Sequence, residues 1–101
     1  MAPSSASKIR ARPAGLQLRL YVAGSAPNSL RAIANAKSIC EEHFASGHQL
    51  EIVDLLVHPR RALADGIIVT PTLLKLSPLP VQRIVGDLSD ASQVCLALAS
   101  T

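Results

Sequence analysis

The sequence has little of what a membrane-spanning, secreted or aromatic-rich protein needs. It contains no tryptophan, and Tyr21 and Phe44 are its only aromatic residues, so a core has to be built from leucine, isoleucine, valine and alanine. No stretch of about 18 apolar residues is present, which excludes a membrane-spanning helix. Residues 1–15 hold no apolar segment of the kind that a secretory signal needs. We therefore expect a cytoplasmic protein whose 101 residues form one domain.

Cysteine and histidine are also too few and too scattered for a recognisable catalytic or metal site. Cys40 and Cys95 are far apart and form no C-x-x-C motif. Two such cysteines in a cytosolic chain are most often free thiols, and a regulatory disulfide between them is the alternative. His43 and His48 are five residues apart, which does not place two metal ligands on one helical face. The glycines are isolated, so no phosphate-binding loop is present. The sequence predicts no catalytic residue, no metal and no cofactor.

The positive net charge of +3 comes from the N-terminal segment. Lys8, Arg10 and Arg12 lie in the first fifteen residues, where there is no acid, and the rest of the chain has seven basic and seven acidic residues. A nucleic-acid-binding protein usually shows a basic face, often with aromatic side chains for stacking, and neither pattern is found. We predict that residues 1–15 form a disordered basic extension, and that neither nucleic acid nor a membrane is a partner.

Residues 16–101 carry alternating strand and helix signals. Residues 16–22 alternate apolar and polar side chains, as a half-buried strand does. Apolar residues from Leu30 to Phe44 then recur at helical spacing, with Pro27 in the first turn and Gly47 as the stop. The same reasoning predicts strands over 49–56, 72–76 and 81–85, a short helix over 59–66 and a closing helix over 91–100.

The predicted order βαβαββα is the plan of a thioredoxin-like α/β domain. Its first βαβ unit implies two parallel strands, to which the later hairpin adds two antiparallel strands. A redox thioredoxin needs two thiols at the start of its first helix, where the helix dipole lowers a thiol pKa. Residues 25–29 contain no cysteine. The scaffold without its dithiol therefore predicts a protein that binds other proteins and is not an enzyme.

Several separated segments resemble the KaiB family of circadian clock proteins. They are LYVAGSAPNS at 20–29, TPT at 70–72 and RIVGDLS at 83–89, with Asp54-Leu55 and the prolines of the 77–80 connection between them. The resemblance implies a non-catalytic regulator that binds a KaiC-type ATPase/kinase ring and modulates its phosphorylation cycle and output signalling. It also implies a KaiA-like protein or a clock-output histidine kinase as further partners.

The resemblance implies two folds, a monomeric thioredoxin-like state and an alternative tetrameric ground state. Residues 91–100 are rich in alanine and leucine, which favour helix over strand, so we predict that the thioredoxin-like state dominates. The chain lacks the acidic C-terminal tail of many cyanobacterial members and has a longer basic N-terminus. Three other functions remain open: a stress-response adaptor without a circadian role, an isolated sensor module of the histidine-kinase type, and a redox enzyme.

The resemblance and the charge pattern together nominate two sets of residues. The predicted partner-binding residues are Asn28, Ser29, Arg31, Arg60, Arg61, Lys75 and Arg83. The alternative roles of these residues are helix capping and plain solvation. Lys75 and Arg83, which we expect to face each other across the hairpin, have protection of a sheet edge as their alternative role. The predicted turn or fold-switch residues are Pro71, Pro78, Pro80, Gly86, Asp87 and Ser89. Asp87 and Ser89 are also the candidate N-caps of the closing helix.

Overall fold

The structure, a computed structural model, describes residues 15–99. The described elements follow the predicted order: β1 (Leu16–Val22), α1 (Pro27–His43), β2 (His48–Asp54), α2 (Pro59–Ala64), β3 (Thr72–Ser77), β4 (Gln82–Val85) and α3 (Ala91–Ala99). The predicted N-terminal extension, apart from Gly15, and the end of the predicted closing helix lie outside the described residues. No helix in the described part of the chain is long and apolar enough to cross a membrane.

The four strands form one sheet in the order β2-β1-β3-β4. β1 and β2 are parallel, with Leu20 opposite Ile52, whereas β3 runs antiparallel to β1 and to β4. This arrangement confirms the prediction of a parallel pair extended by a hairpin. It also makes β1 and β3 the central strands and leaves β2 and β4 at the edges.

The main core lies between one face of the sheet and the helices α1 and α3. Alternate residues of β1 point into it, since successive side chains of a strand face opposite sides. The buried members of this core are Leu16, Leu18, Leu20, Val22, Ala32, Ala36, Ile39, Cys40, Leu73, Leu88, Val94 and Leu98. The expectation that Leu30 belongs to the buried face of α1 is wrong. It is 53% exposed, because the buried stripe of the helix runs through Ser29, Ala32 and Ala36.

A smaller core lies on the opposite face of the sheet, under α2. Its buried members are Tyr21, Val53, Ala62 and Leu74, and only partly buried apolar residues pack around them. Ala62 is the one buried residue of the six-residue helix. At about 25 cal/mol per Å² of apolar surface, so small an apolar contact contributes little to holding α2 in place. Polar contacts also join α2 to the sheet, among them the one between the Arg61 Nη2 and the Glu51 Oε2 at 2.8 Å.

The helix ends show which of the local predictions hold. As predicted, Pro27 and Pro59 occupy the first turns of α1 and α2. The helix α2 ends at Ala64, two residues before Gly66, which has a φ of +67°. The N-cap of α3 is neither Asp87 nor Ser89. It is Asp90, whose Oδ1 accepts a hydrogen bond from the Gln93 N–H at 3.2 Å, the third residue of the helix. The N-cap prediction was therefore wrong, because the cap is the residue that follows Ser89.

Candidate functional site

Four loops meet at the end of the sheet where β1 and β2 finish. We call this the loop end and define it as residues 23–26, 55–58, 66–71 and 86–90. Asp54 joins the first two loops, because its Oδ1 accepts from the Gly24 N–H at 3.0 Å and from the Leu56 N–H at 2.9 Å. The Gly86 N–H donates to the Pro71 carbonyl at 3.0 Å, which joins the last two. The loop end is thus held together by hydrogen bonds from side chains and backbone.

At the start of α1, the three predicted partner-binding residues do different things. Asn28 and Arg31 are exposed, and the Arg31 Nη2 donates to the Asn28 Oδ1. Ser29 is only 1% exposed, and its Oγ accepts from the Ala23 N–H at 3.1 Å. Its prediction as a contact residue is therefore wrong in this structure. The hydroxyl group fixes the turn between β1 and α1 instead.

Arg31 also connects α1 to the turn before α3. Its Nε lies 3.4 Å from the Asp87 Oδ2, and the Asp87 carbonyl accepts from the Asn35 Nδ2 at 2.8 Å. Hydrogen bonds from the Ser89 side chain and then its N–H, with Arg31, lower the pKa of Asp87. The carboxylate of Asp87 is therefore engaged within the protein, with Arg31 as its charged partner.

The predicted turn residues divide between the two ends of the sheet. Pro71 is buried at the loop end, and Gly86 lies beside it with a φ of +120°. Pro78 and Pro80 lie at the opposite end, in the connection between β3 and β4. The bonds preceding all three prolines are cis. The structure therefore brings Pro71, Gly86 and the predicted contact residues of α1 together, and it leaves Pro78 and Pro80 apart.

A polar network, which the sequence did not reveal, joins α2 to the sheet. Arg19 of β1 lies 2.9 Å from both the Glu51 Oε1 and the Asp65 Oδ2, and the Arg61 Nη2 lies 2.8 Å from the Glu51 Oε2. The Tyr21 hydroxyl group lies 2.7 Å from the Asp65 Oδ2, to which it donates. Arg61, a predicted contact residue, is thus one member of this network, which we call the α2 network: Arg19, Tyr21, Glu51, Arg61 and Asp65.

The electrostatics of the α2 network follow from these contacts. The hydrogen bonds from Arg19 and Arg61 lower the pKa of Glu51. The Tyr21 hydroxyl group, followed by Arg19, lowers the pKa of Asp65, and burial with the same carboxylate raises the pKa of Tyr21. The carboxylates of Glu51 and Asp65 are therefore ionised at neutral pH, and arginine side chains balance their negative charges. Arg60, by contrast, is exposed on the outer side of α2.

The hairpin residues Lys75 and Arg83 do not face each other. Lys75 lies opposite Gln82, and Arg83 opposite Leu74. Lys75 is fully buried, so the prediction that it presents its charge to a partner is wrong, because β3 is a central strand with a core on each face. Arg83 is exposed, and its guanidinium donates to the carbonyls of Asp65 at 2.5 Å and Gly66 at 3.3 Å.

The sequence reasoning also missed a group of exposed apolar side chains at and beside the loop end. They are Leu56, Val57, Leu63, Ile68, Val69 and Val85, which are 48–93% exposed. A signal was present for two of them. Ile68 and Val69 lie between Gly66 and Pro71, in a segment too short and too interrupted for a strand, so their apolar side chains had no element in which to be buried.

The described residues contain no group of three or more side chains suited to hold a metal ion. Cys40 is buried in the main core, where burial raises the pKa of its thiol, and Cys95 is partly buried; both are free. Neither cysteine lies at the start of α1, where a redox thioredoxin has its thiols. The loop end exposes apolar side chains, among them Leu56, Val57 and Ile68, and the arginines Arg31, Arg60 and Arg83 lie outside it on α1, α2 and β4.

The fold is shared with structures of known proteins. The N-terminal domain of Synechococcus elongatus SasA superimposes with a TM-score of 0.70 and 27% identity, over 86% of each chain. The Drosophila thioredoxin Deadhead superimposes with a TM-score of 0.71 over 94% of this chain and 89% of the other, at only 14% identity. The thioredoxin similarity concerns the fold alone.

The sequence comparisons are more specific. The KaiB domain family profile matches residues 19–99. The circadian clock oscillator protein KaiB of Synechococcus elongatus is 49% identical over 81 residues, which are 80% of this chain and 79% of the relative. The protein of the same name from Prochlorococcus marinus is 48% identical over 80% of this chain and 68% of the relative. The segments that carried the resemblance all lie within or at the border of the matched region, and the chain belongs to the KaiB family.

Proposed function

We propose that this protein is a clock regulator that binds a KaiC-type ATPase/kinase ring and modulates the phosphorylation cycle and output signalling of that ring. It acts by protein–protein contact and has no catalytic activity of its own. The observation that carries the proposal is the 49% identity to a circadian clock oscillator protein over four-fifths of the chain. The similarity to the SasA domain adds a second clock protein with the same fold.

The surface chemistry of the loop end supports a binding role. Leu56 and Val57 are 68% and 65% exposed, and Arg60 is exposed one turn away on α2. The buried centre of a protein interface is more apolar than its rim, and arginine is enriched in interfaces and among the residues that contribute most to binding. An acidic, apolar surface on the ring is the complement of this arrangement.

The same family membership extends the proposal to partners and states. A KaiA-like protein and a clock-output histidine kinase are the further partners, the second competing for the ring because its sensor domain has the same fold. The thioredoxin-like state is the monomeric, ring-binding state, and a tetramer is the alternative. In this state α3 is helical throughout residues 91–99.

The test is a binding assay between the full-length protein and the KaiC-type hexamer of Synechococcus elongatus, by size-exclusion chromatography with light scattering. Co-elution of the two proteins is the expected result, together with a changed rate of ring dephosphorylation. Arg60→Ala is expected to weaken binding about tenfold, which corresponds to about 1.4 kcal/mol. Lys37→Ala is the matched control, because Lys37 is an exposed cation in the middle of α1.

Two results would contradict the proposal. If the wild-type protein does not bind the ring, the clock function fails and the stress-response adaptor becomes the better hypothesis. If both charge variants weaken binding equally, the loop end and α2 are not the contact surface and only general electrostatic attraction is at work.

A further inference from the structure

A shallow apolar depression lies beside the free edge of β4. It has a volume of about 320 Å³ and is lined by Gly66, Ile68, Val69, Thr72, Arg83 and Val85. Ile68 is 93% exposed and Val85 62% exposed, so the walls are apolar and open to solvent. Nothing in the α2 network or in the contacts at the start of α1 uses these side chains.

The edge of β4 next to this depression is available for pairing. The strand order places β4 at the end of the sheet, with β3 as its neighbour on the other side. An edge strand presents a row of backbone N–H and C=O groups that another extended chain can pair with. Among the described strands, β4 pairs with β3 alone.

The guanidinium group of Arg83, the charged group that lines the depression, is held by hydrogen bonds. Arg83 donates to the carbonyls of Asp65 and Gly66, which are neutral acceptors, so its charge is not cancelled by these contacts. Gly66 makes the approach possible, because its φ is +67° and a Cβ there would lie 3.3 Å from the Arg83 Nη2. The guanidinium therefore lies against the turn after α2.

Hydrogen bonds also hold the backbone beside the depression. The Thr72 Oγ1 donates to the Val69 carbonyl at 2.6 Å, and the Gly86 N–H donates to the Pro71 carbonyl at the end of β4. The depression therefore has its shape before any ligand arrives, which reduces the entropy lost on binding.

We infer that the edge of β4 and the adjoining depression bind an extended, acidic and apolar segment of a partner protein, which adds a fifth strand to the sheet. One apolar side chain of the segment enters between Ile68 and Val85, and a neighbouring carboxylate meets the guanidinium of Arg83. Main-chain hydrogen bonds supply affinity in this mode, and the alternate side chains supply specificity. The inference deepens the proposed function, on which it rests for the identity of the partner.

Charge decides between a partner segment and a second copy of the chain. A two-fold interface brings the same patch of both molecules together, so two copies paired along β4 would place both Arg83 guanidinium groups in one small contact. Like charges in such a position are destabilising. The carboxylates of an acidic segment attract the guanidinium group of Arg83. An acidic segment is therefore the occupant that fits this surface.

The first experiment uses a peptide and does not depend on the ring. A blocked hexapeptide of alternating valine and glutamate is titrated into the ¹⁵N-labelled full-length protein, and backbone amide shifts are followed by NMR. We expect the shifts to cluster in residues 66–69 and 82–86. A valine–lysine peptide should bind with about tenfold lower affinity, a difference of about 1.4 kcal/mol. Shifts spread over the surface, or equal affinity for the two peptides, would overturn the inference.

The second experiment uses the KaiC-type hexamer and two matched variants. Ile68→Asp adds a negative charge at the depression, at a side chain so exposed that folding is unaffected, and Leu79→Asp adds the same charge at the opposite end of the sheet, where Leu79 is 72% exposed. We expect at least a tenfold loss of ring binding for the first and less than a twofold change for the second, differences of about 1.4 and 0.4 kcal/mol.

The outcomes separate this inference from the proposed function. If the wild-type protein binds the ring and Ile68→Asp binds equally well, the inference is overturned and the function stands. If the wild-type protein does not bind the ring, the function fails and the peptide titration alone decides the inference. If light scattering shows a wild-type dimer that Ile68→Asp dissociates, a second copy occupies the edge and the inference is wrong.

Discussion

Replacing Tyr21 by phenylalanine removes one hydroxyl group from the junction between the sheet and α2, and it leaves the buried ring in place. That hydroxyl group lies 2.7 Å from the Asp65 Oδ2. A hydrogen bond to a charged group contributes about 1.5–3 kcal/mol. The Asp65 side chain is 25% exposed and keeps its contact with Arg19, so we expect the lower figure, about 1.5 kcal/mol. For a domain of this size the melting temperature should fall by about 6–12 °C.

The loss should depend on pH in a defined direction. The folded-state pKa of Asp65 is lowered, chiefly by the Tyr21 hydroxyl group. Its contribution to stability is therefore fully present above the ordinary aspartate pKa of about 3.9 and is lost as the pH falls through the lower folded value. Tyr21→Phe raises the folded pKa towards the ordinary value. The difference in stability between the two proteins should thus be largest at neutral pH and shrink as the pH falls from the ordinary aspartate pKa towards the lowered folded pKa of Asp65.

The assay is urea unfolding followed by far-ultraviolet circular dichroism, because the variant lacks the only tyrosine of the chain. A double-mutant cycle with Asp65→Asn isolates the contact from the loss of either group alone. We expect a coupling energy of about 1 kcal/mol at neutral pH. The reasoning is refuted if Tyr21→Phe costs the same in both backgrounds, or if its cost does not change between neutral and acidic pH.

Three further predictions concern single side chains. Burial raises the pKa of the Cys40 thiol, so a maleimide reagent should label Cys95 first; equal labelling rates would argue against the packing of Cys40. Asp90→Ala removes the N-cap acceptor of α3 and should cost about 1 kcal/mol in urea unfolding, whereas Asp90→Ser should cost little; equal losses would contradict the cap. Leu20→Ala, at a fully buried site, should lower the free energy of unfolding by about 2–5 kcal/mol. Leu79→Ala, at a mostly exposed site, should change it by less than about 0.5 kcal/mol, and similar effects of the two leucine changes would refute the core assignment.

The order of strands and helices could be predicted because each element has a signal within its own segment of the sequence. In β1 the inward positions Leu16, Leu18 and Leu20 alternate with outward ones, and the structure buries those three in the main core. Pro27 and Pro59 mark the first turns of two helices, where a missing N–H has no cost. Signals of this kind depend only on neighbours in the sequence, and they are therefore visible without the fold.

The burial of Lys75 could not be predicted in the same way. A lysine in a short hairpin strand suggests an exposed face, but β3 lies between β1 and β4 and has packed side chains on both sides. Whether a strand is central or at an edge is decided by segments far away in the chain. Leu30 was misassigned for a related reason, since helical spacing shows a face but its exact direction depends on what the helix packs against.

The α2 network was invisible for the same physical reason. Arg19 meets Glu51 and Asp65 across separations of 32 and 46 residues, and Tyr21 meets Asp65 across 44. None of these pairs has the i to i+4 spacing that marks a helical ion pair in a sequence. The prediction of the N-cap of α3 was wrong for a local reason. Asp87, Ser89 and Asp90 all have suitable side chains, and only Asp90 directly precedes the first helical residue, Ala91.

Tyr21 gives the molecule a property that goes beyond stability. The chain contains one tyrosine and no tryptophan, so its near-ultraviolet dichroism and intrinsic fluorescence come almost entirely from this ring. The ring lies under α2, with its hydroxyl group on Asp65 and near the Arg61 carbonyl. Any event that lifts or tilts α2 must change the environment of that single chromophore. The unmodified protein therefore carries its own optical probe of α2, and unfolding or refolding at this helix can be followed in real time without a label.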